Sequence, residues 1–150
     1  MTIGSVPPNN NHACVRNVTF RNVVMDKPLK GIYLKSNPGN NGDGEITNIT
    51  YENFVMYTPI WWAIWIGPQQ QHQPGGANPG CNMFYPYGNC PTNPVITFDG
   101  IVLKNITSHN SLLPAGVIHC DPTNHCKNMH FEDVQMHTPL WDLLGVGFLT

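Results

Sequence analysis

The sequence predicts an all-β chain wound as a solenoid, a parallel β-helix of about four coils with one long inserted loop. Three observations point to it. A strand-like segment recurs: Asn17-Val18-Thr19-Phe20-Arg21-Asn22-Val23-Val24-Met25 returns as Asn48-Ile49-Thr50-Tyr51-Glu52-Asn53-Phe54-Val55-Met56, with Phe20 and Tyr51 standing 31 residues apart. Each copy is followed by a short apolar strand, Gly31-Ile32-Tyr33-Leu34-Lys35 after the first and Ile60 to Gly67 after the second. Gly and Pro number 14 each, and no stretch of a dozen residues keeps a 3.6-residue period, so turns and short strands dominate over helices. A strand pattern with this period belongs to units that each cover the open face of the unit before.

In chain order, residues 1–6 read as a strand, with Ile3 and Val6 apolar and Gly4 a turn or bulge candidate, and residues 7–12 as a polar loop. The first coil spans 15–35: the repeat, a turn from Asp26 to Lys30, then the strand ending in Lys35. Ser36 to Gly44 is a cluster of turn residues. The second coil spans 46–67, with a turn at Tyr57-Thr58-Pro59 before the tryptophan-rich strand. Residues 68–94 break the period and form the inserted loop; unstructured loops this long inside a compact domain are usually functional or disordered, and the Cys81/Cys90 pair argues for an ordered one. The third coil, 95–120, carries Val95 to Leu103 and Gly116 to Cys120, and the fourth, 128–148, carries Met129 to Met136 and Leu144 to Phe148. The chain 1–150 is thus one β-helical unit.

Set in phase, Phe20, Tyr51, Phe98 and Phe131 fall in one column, Val23, Phe54, Ile101 and Val134 in a second, and Met25, Met56, Leu103 and Met136 in a third. Asn22, Asn53, Gly100 and Asp133 occupy a fourth column, and these are residue types that tolerate the left-handed backbone of a sharp corner. The apolar columns would stack as ladders inside the coil. A β-sandwich with chance similarity is the competing reading, and four copies in phase disfavour it.

Composition excludes several functions. Charged residues make up 11% and the net charge is -2, which leaves no basic footprint for nucleic acid or an anionic membrane. No run of about 18 apolar residues is available to span a bilayer. The five cysteines include two pairs close in sequence, Cys81/Cys90 and Cys120/Cys126, in polar loops; these read as short-loop disulfides of an oxidising compartment. Zinc spacing is missing, and the seven histidines form no metal pattern, so neither a metal nor a cofactor is expected. Cys14 is left over, either buried or with a partner outside these residues. The first residues lack the basic and apolar regions of a signal peptide, so a secreted-looking body without a leader suggests a piece of a longer chain. Asn17, Asn48 and Asn105 open glycosylation sequons, although coil geometry explains Asn17 and Asn48 about as well.

The phased repeat and the Gly31-to-Lys35 strand resemble glycoside hydrolase family 28, the polygalacturonase family of right-handed parallel β-helices. Met1 to Val6 is similar to the segment that follows the family's Gly-His-Gly motif. Gly31 to Lys35, its Gly-rich turn and Ile46 to Asn53 are similar to the family's Arg-Ile-Lys strand and the coil after it. Cys120 to Cys126, followed by Met129 to Val134, is similar to a small C-terminal disulfide loop. The resemblance implies an inverting hydrolase acting on pectic polysaccharide, secreted, with three aspartates and a histidine as its catalytic groups. No Asn-Thr-Asp or Asp-Asp motif occurs here, so the catalytic residues are expected upstream of Met1, on further coils of the same parent chain, and this chain alone is expected to be inactive.

Inverting hydrolysis needs two carboxyl groups about 6.5–9.5 Å apart. Glu52, Asp99 and Glu132 share a phase and would stack one per coil, but they alternate with inward apolar residues, so a solvated ladder beside Arg21 is the plainer reading. Lys35 differs: it ends an apolar strand on the face where the resemblance implies substrate, and can act as a point charge for a sugar carboxylate. Tyr33 stands where the family has Arg; it cannot clamp a carboxylate but can stack on a sugar ring. Trp61, Trp62 and Trp65 are further candidate platforms, and strand alternation would put Trp62 on the face opposite the other two. A non-catalytic β-helix that binds polysaccharide or a protein partner is the alternative to an enzyme fragment.

Overall fold

The computed structural model describes residues 1–7, 11–38, 42–70, 80–145 and 148–149. Its strands are β1 (Thr2–Val6), β2 (His12–Asp26), β3 (Ile32–Ser36), β4 (Asp43–Tyr57), β5 (Ile64–Pro68), β6 (Ile96–His109), β7 (Gly116–Ile118), β8 (His130–Met136) and β9 (Phe148–Leu149), with one short helix α1 (Pro139–Leu143). Short and long strands alternate along the chain and sort into two sheets, β1-β3-β5-β7-β9 and β2-β4-β6-β8, with every pairing parallel. This is a parallel β-helix. The core lies between the sheets and is made of stacked side chains: Ile32, Leu34, Ile64 and Ile66 from the short strands meet Ile46, Ile49, Tyr51, Phe54, Ile101 and Leu103 from the long ones.

The long strands turn corners. Residues with positive φ recur every five positions, at Asn17, Asn22 and Lys27, at Asn48, Asn53 and Thr58, and at Gly100, Asn105 and Asn110. Asparagine suits these corners because its short amide lowers the cost of the left-handed conformation, and here the amides also bond between coils. The Asn105 Nδ2 donates to Asn53 Oδ1 at 2.8 Å, and Asn53 Nδ2 donates to Asn22 Oδ1 at 2.9 Å. Asn48 Nδ2 donates to Asn17 Oδ1 at 3.2 Å.

This ladder sets a register in the third coil that differs from the sequence alignment. Tyr51 pairs with Leu103, and Ile46 with Phe98, so the aromatic column runs Phe20, Tyr51, Leu103, Phe131. Gly100 falls in the Asn17/Asn48 column, and Asn105, not Gly100, continues the Asn22/Asn53 corner. A Cβ at Gly100 would lie 2.7 Å from Asn48 Oδ1, which accounts for glycine at that rung. Because corners repeat every five residues, a five-residue slip preserves the local pattern; only the pairing with the neighbouring coil removes the ambiguity.

The slip also corrects the acidic ladder. Asp99 pairs with Thr47, while Lys104 stands between Glu52 and Glu132. The outward column therefore alternates in sign: Arg21, Glu52, Lys104, Glu132, with Lys104 Nζ 3.1 Å from Glu132. That ion pair holds the Glu132 carboxyl below its usual range.

The fourth coil's second strand, expected at Leu144 to Phe148, lies partly outside the described residues; β9 is Phe148–Leu149, Leu144 and Gly145 form a turn, and α1 precedes them at Pro139–Leu143. Pro139 at the helix start fits a position without a needed N–H donor, and Asp142 folds back to accept from the Thr138 backbone N–H at 2.9 Å. Cys81 is bonded to Cys90 and Cys120 to Cys126; Cys14 is free and exposed, not buried.

Candidate functional site

Strand β3 separates two environments by simple alternation. Ile32 and Leu34 enter the core, and Tyr33 and Lys35 face outward from the β1-β3-β5 sheet. Outward is not exposed for Tyr33. It is 8% accessible, its ring meets the Trp65 ring edge-on at 6.4 Å, and its hydroxyl accepts the Gln70 backbone N–H at 2.9 Å. Burial pushes the phenol pKa up to about 12, so the group is a neutral anchor.

Two ammonium groups share the Tyr33 ring. Lys30 Nζ is 4.0 Å from its centroid and Lys35 Nζ is 5.3 Å. Lys30 also lies 5.5 Å from the Trp65 ring. Burial, with a smaller contribution from the charge of Lys35, brings the Lys30 pKa down to about 8, and burial lowers that of Lys35. Among the described residues neither lysine has a carboxylate partner. Two partly desolvated cations lie against one aromatic ring without a carboxylate partner among the described residues, an arrangement whose charge can attract an anion. Lys30 comes from the turn before β3, where no periodic pattern marks a face, so nothing in the sequence singled it out.

The tryptophans depart from simple alternation. Strand β5 starts at Ile64, so Trp61 and Trp62 belong to the preceding turn and are free to point the same way as Trp65. All three join one aromatic cluster with Tyr33 and Tyr85 on the outside of the sheet, beneath residues 81–90 of the inserted loop. His119 closes this cluster, with Nδ1 3.3 Å from the Tyr85 hydroxyl and Nε2 3.2 Å from the Cys90 carbonyl oxygen.

The remaining candidate residues lie elsewhere. Asn17, Asn48 and Asn105 are exposed corner residues, and the Nδ2 atoms of Asn48 and Asn105 already donate to the ladder. Glu52 and Glu132 are on the other sheet, each beside a cation. Among the described residues no three His, Cys, Asp or Glu gather as a metal site, and no helix is long and apolar enough to cross a membrane.

The sequence profile of glycosyl hydrolases family 28 matches residues 1–141. The chain belongs to that family. Family 28 membership agrees with the parallel β-helix and places the chain among the polygalacturonase-like glycoside hydrolases. No curated protein and no solved structure matches the family 28 chain.

Proposed function

We propose that this chain forms the substrate-binding part of a secreted, pectin-degrading glycoside hydrolase, and that Lys35, with Lys30, binds a uronate carboxylate. The carrying observation is the pair of ammonium groups on the Tyr33 ring without a carboxylate partner among the described residues. Tyr33 acts in this reading as a positioning residue: its ring holds both cations, and its hydroxyl ties them to the insert through Gln70.

Inverting hydrolysis requires an acid and a base on opposite sides of the scissile bond. Among the described residues neither lysine stands beside a carboxylate, so the proposed acids come from further coils stacked on β2. The side of β2 supports this. Val15, Val18, Phe20, Val23 and Met25 remain partly exposed, whereas their counterparts on β4, Ile46, Ile49, Tyr51, Phe54 and Met56, are fully buried. A further coil would cover that surface as β4 covers β2 from the other side. The two disulfides fit a secreted protein.

The test combines binding and cleavage. Purified 150-residue chain should retain polygalacturonate on affinity gels and release no reducing ends, and the Lys35→Gln variant should lose retention. Cleavage by this chain alone would overturn the placement of the acids. Retention that survives Lys30→Gln/Lys35→Gln would overturn the carboxylate site and favour a binding module that works through the aromatic cluster.

A further inference from the structure

Beyond the lysine pair lies a separate, uncharged cavity of about 270 Å³. Its walls are aromatic and apolar: Trp61, Trp62, Phe84, Tyr85, Tyr87 and Trp141 supply most of them. Among the described residues no Asp, Glu, Lys, Arg or His lines it. The insert shapes the rim. Cys81–Cys90 closes the segment, Asn82 Oδ1 accepts the Phe84 N–H at 2.8 Å, and the Tyr87 N–H donates to the Phe84 carbonyl at 2.9 Å. These bonds fix a turn that leaves Phe84 71% and Tyr87 80% accessible. Large aromatic side chains held in the open on a cross-linked turn expose apolar area at a free-energy cost that core packing does not offset. Two wall indoles are already satisfied, Trp61 by Gln70 at 3.3 Å and Trp141 by the Leu112 carbonyl at 3.0 Å, while the buried Trp62 Nε1–H has no partner among the described residues, so the walls offer ring faces and one unpaired donor suited to a sugar oxygen.

We infer that this cavity is a second carbohydrate subsite, one that takes a neutral sugar ring, such as a methyl-esterified uronate, through its C–H face. A carboxylate would enter at the cost of desolvating a charge with no cation to meet it, whereas an esterified or neutral ring carries no charge and has the smaller cost of its polar groups to offset. A flat pyranose face suits aromatic walls, and its hydroxyls can point to solvent through the open rim. Placement ties the cavity to the lysines: Tyr85 lines the cavity and packs on Trp65 at 5.8 Å, and Trp65 packs on Tyr33 at 6.4 Å. One polymer lying along this face would meet a charge-selective position and then a charge-excluding one. The inference rests on the proposed pectic substrate for its polymer, but the cavity's preference for neutral rings is independent of the lysines.

The test is affinity electrophoresis of the full chain in gels containing de-esterified polygalacturonate or highly methyl-esterified pectin. Wild type should be retained by both. Phe84→Ala/Tyr87→Ala should weaken retention by esterified pectin about tenfold and leave retention by polygalacturonate within about twofold. Lys30→Gln/Lys35→Gln should do the reverse. Equal loss on both polymers, or no loss on either, overturns the neutral subsite while leaving the carboxylate reading intact. Wild-type retention by esterified pectin but not by polygalacturonate overturns the carboxylate reading and supports the subsite. Retention by neither polymer overturns both. Unchanged far-ultraviolet circular dichroism of each variant separates lost binding from lost folding.

Discussion

The Lys30 ammonium lies 4.0 Å from the centre of the Tyr33 ring, in a setting where burial and the neighbouring Lys35 charge lower its pKa to about 8. Lysine in the unfolded chain titrates near 10.5. Between these values the unfolded chain binds more protons, so stability rises as pH increases from about 8 toward 10.5; below 8 the penalty for the buried charge is fully present. Thermal unfolding should therefore give a higher midpoint at about pH 9.5 than at pH 7, and Lys30→Met should flatten that difference.

Binding should run the other way. Polygalacturonate affinity should fall as pH rises through about 8, because Lys30 loses the charge that meets the ligand, with the bound anion shifting the fall somewhat upward. Lys30→Arg keeps its charge at every accessible pH and should hold affinity to about pH 9.5. Calorimetric titration across this range measures both. A wild-type profile that stays flat through pH 9 would remove Lys30 from the site.

Lys35→Gln should cost about tenfold in polygalacturonate affinity at neutral pH, the loss expected when one charge of a partly desolvated contact is removed. Lys35→Arg should recover most of it if charge is what matters. Gel retention at two salt concentrations adds a check, since the wild-type advantage should shrink with salt.

Tyr51 is fully buried, stacked on Phe20 at 5.0 Å, and its hydroxyl has no hydrogen-bond partner among the described residues. Burial raises its pKa far above the usual phenol value. Removing the unsatisfied group with Tyr51→Phe should stabilise the chain by about 1–2 kcal/mol. The urea midpoint should rise with an unchanged slope; a lower midpoint would mean that the hydroxyl is satisfied in solution.

Asn53 is a corner with φ 58° that both donates to Asn22 and accepts from Asn105. Asn53→Ala should destabilise by about 2–3 kcal/mol, combining left-handed strain with two lost ladder bonds. Asn53→Gly removes the strain but not the bond loss, and should recover about 1 kcal/mol of that. Urea unfolding of the pair separates the two contributions.

Much of this protein is written locally. The return of Asn17-to-Met25 as Asn48-to-Met56 fixes a coil, the asparagines mark its corners, and the alternation Ile32-Tyr33-Leu34-Lys35 places Lys35 outside, all because strand periodicity and left-handed propensity depend on a few adjacent residues. Tertiary structure decided the rest. The third coil's register was open by five residues until Asn105 bonded to Asn53, since a slip of one corner spacing satisfies every local preference. The gathering of Trp61, Trp62 and Trp65 on one side, and the arrival of Lys30 over Tyr33, depend on turns that have no period and on an insert that folds back from residues 81–90. A repeat specifies what each coil is. Which residues meet between coils is set by contacts between residues far apart in sequence, where no local pattern reaches.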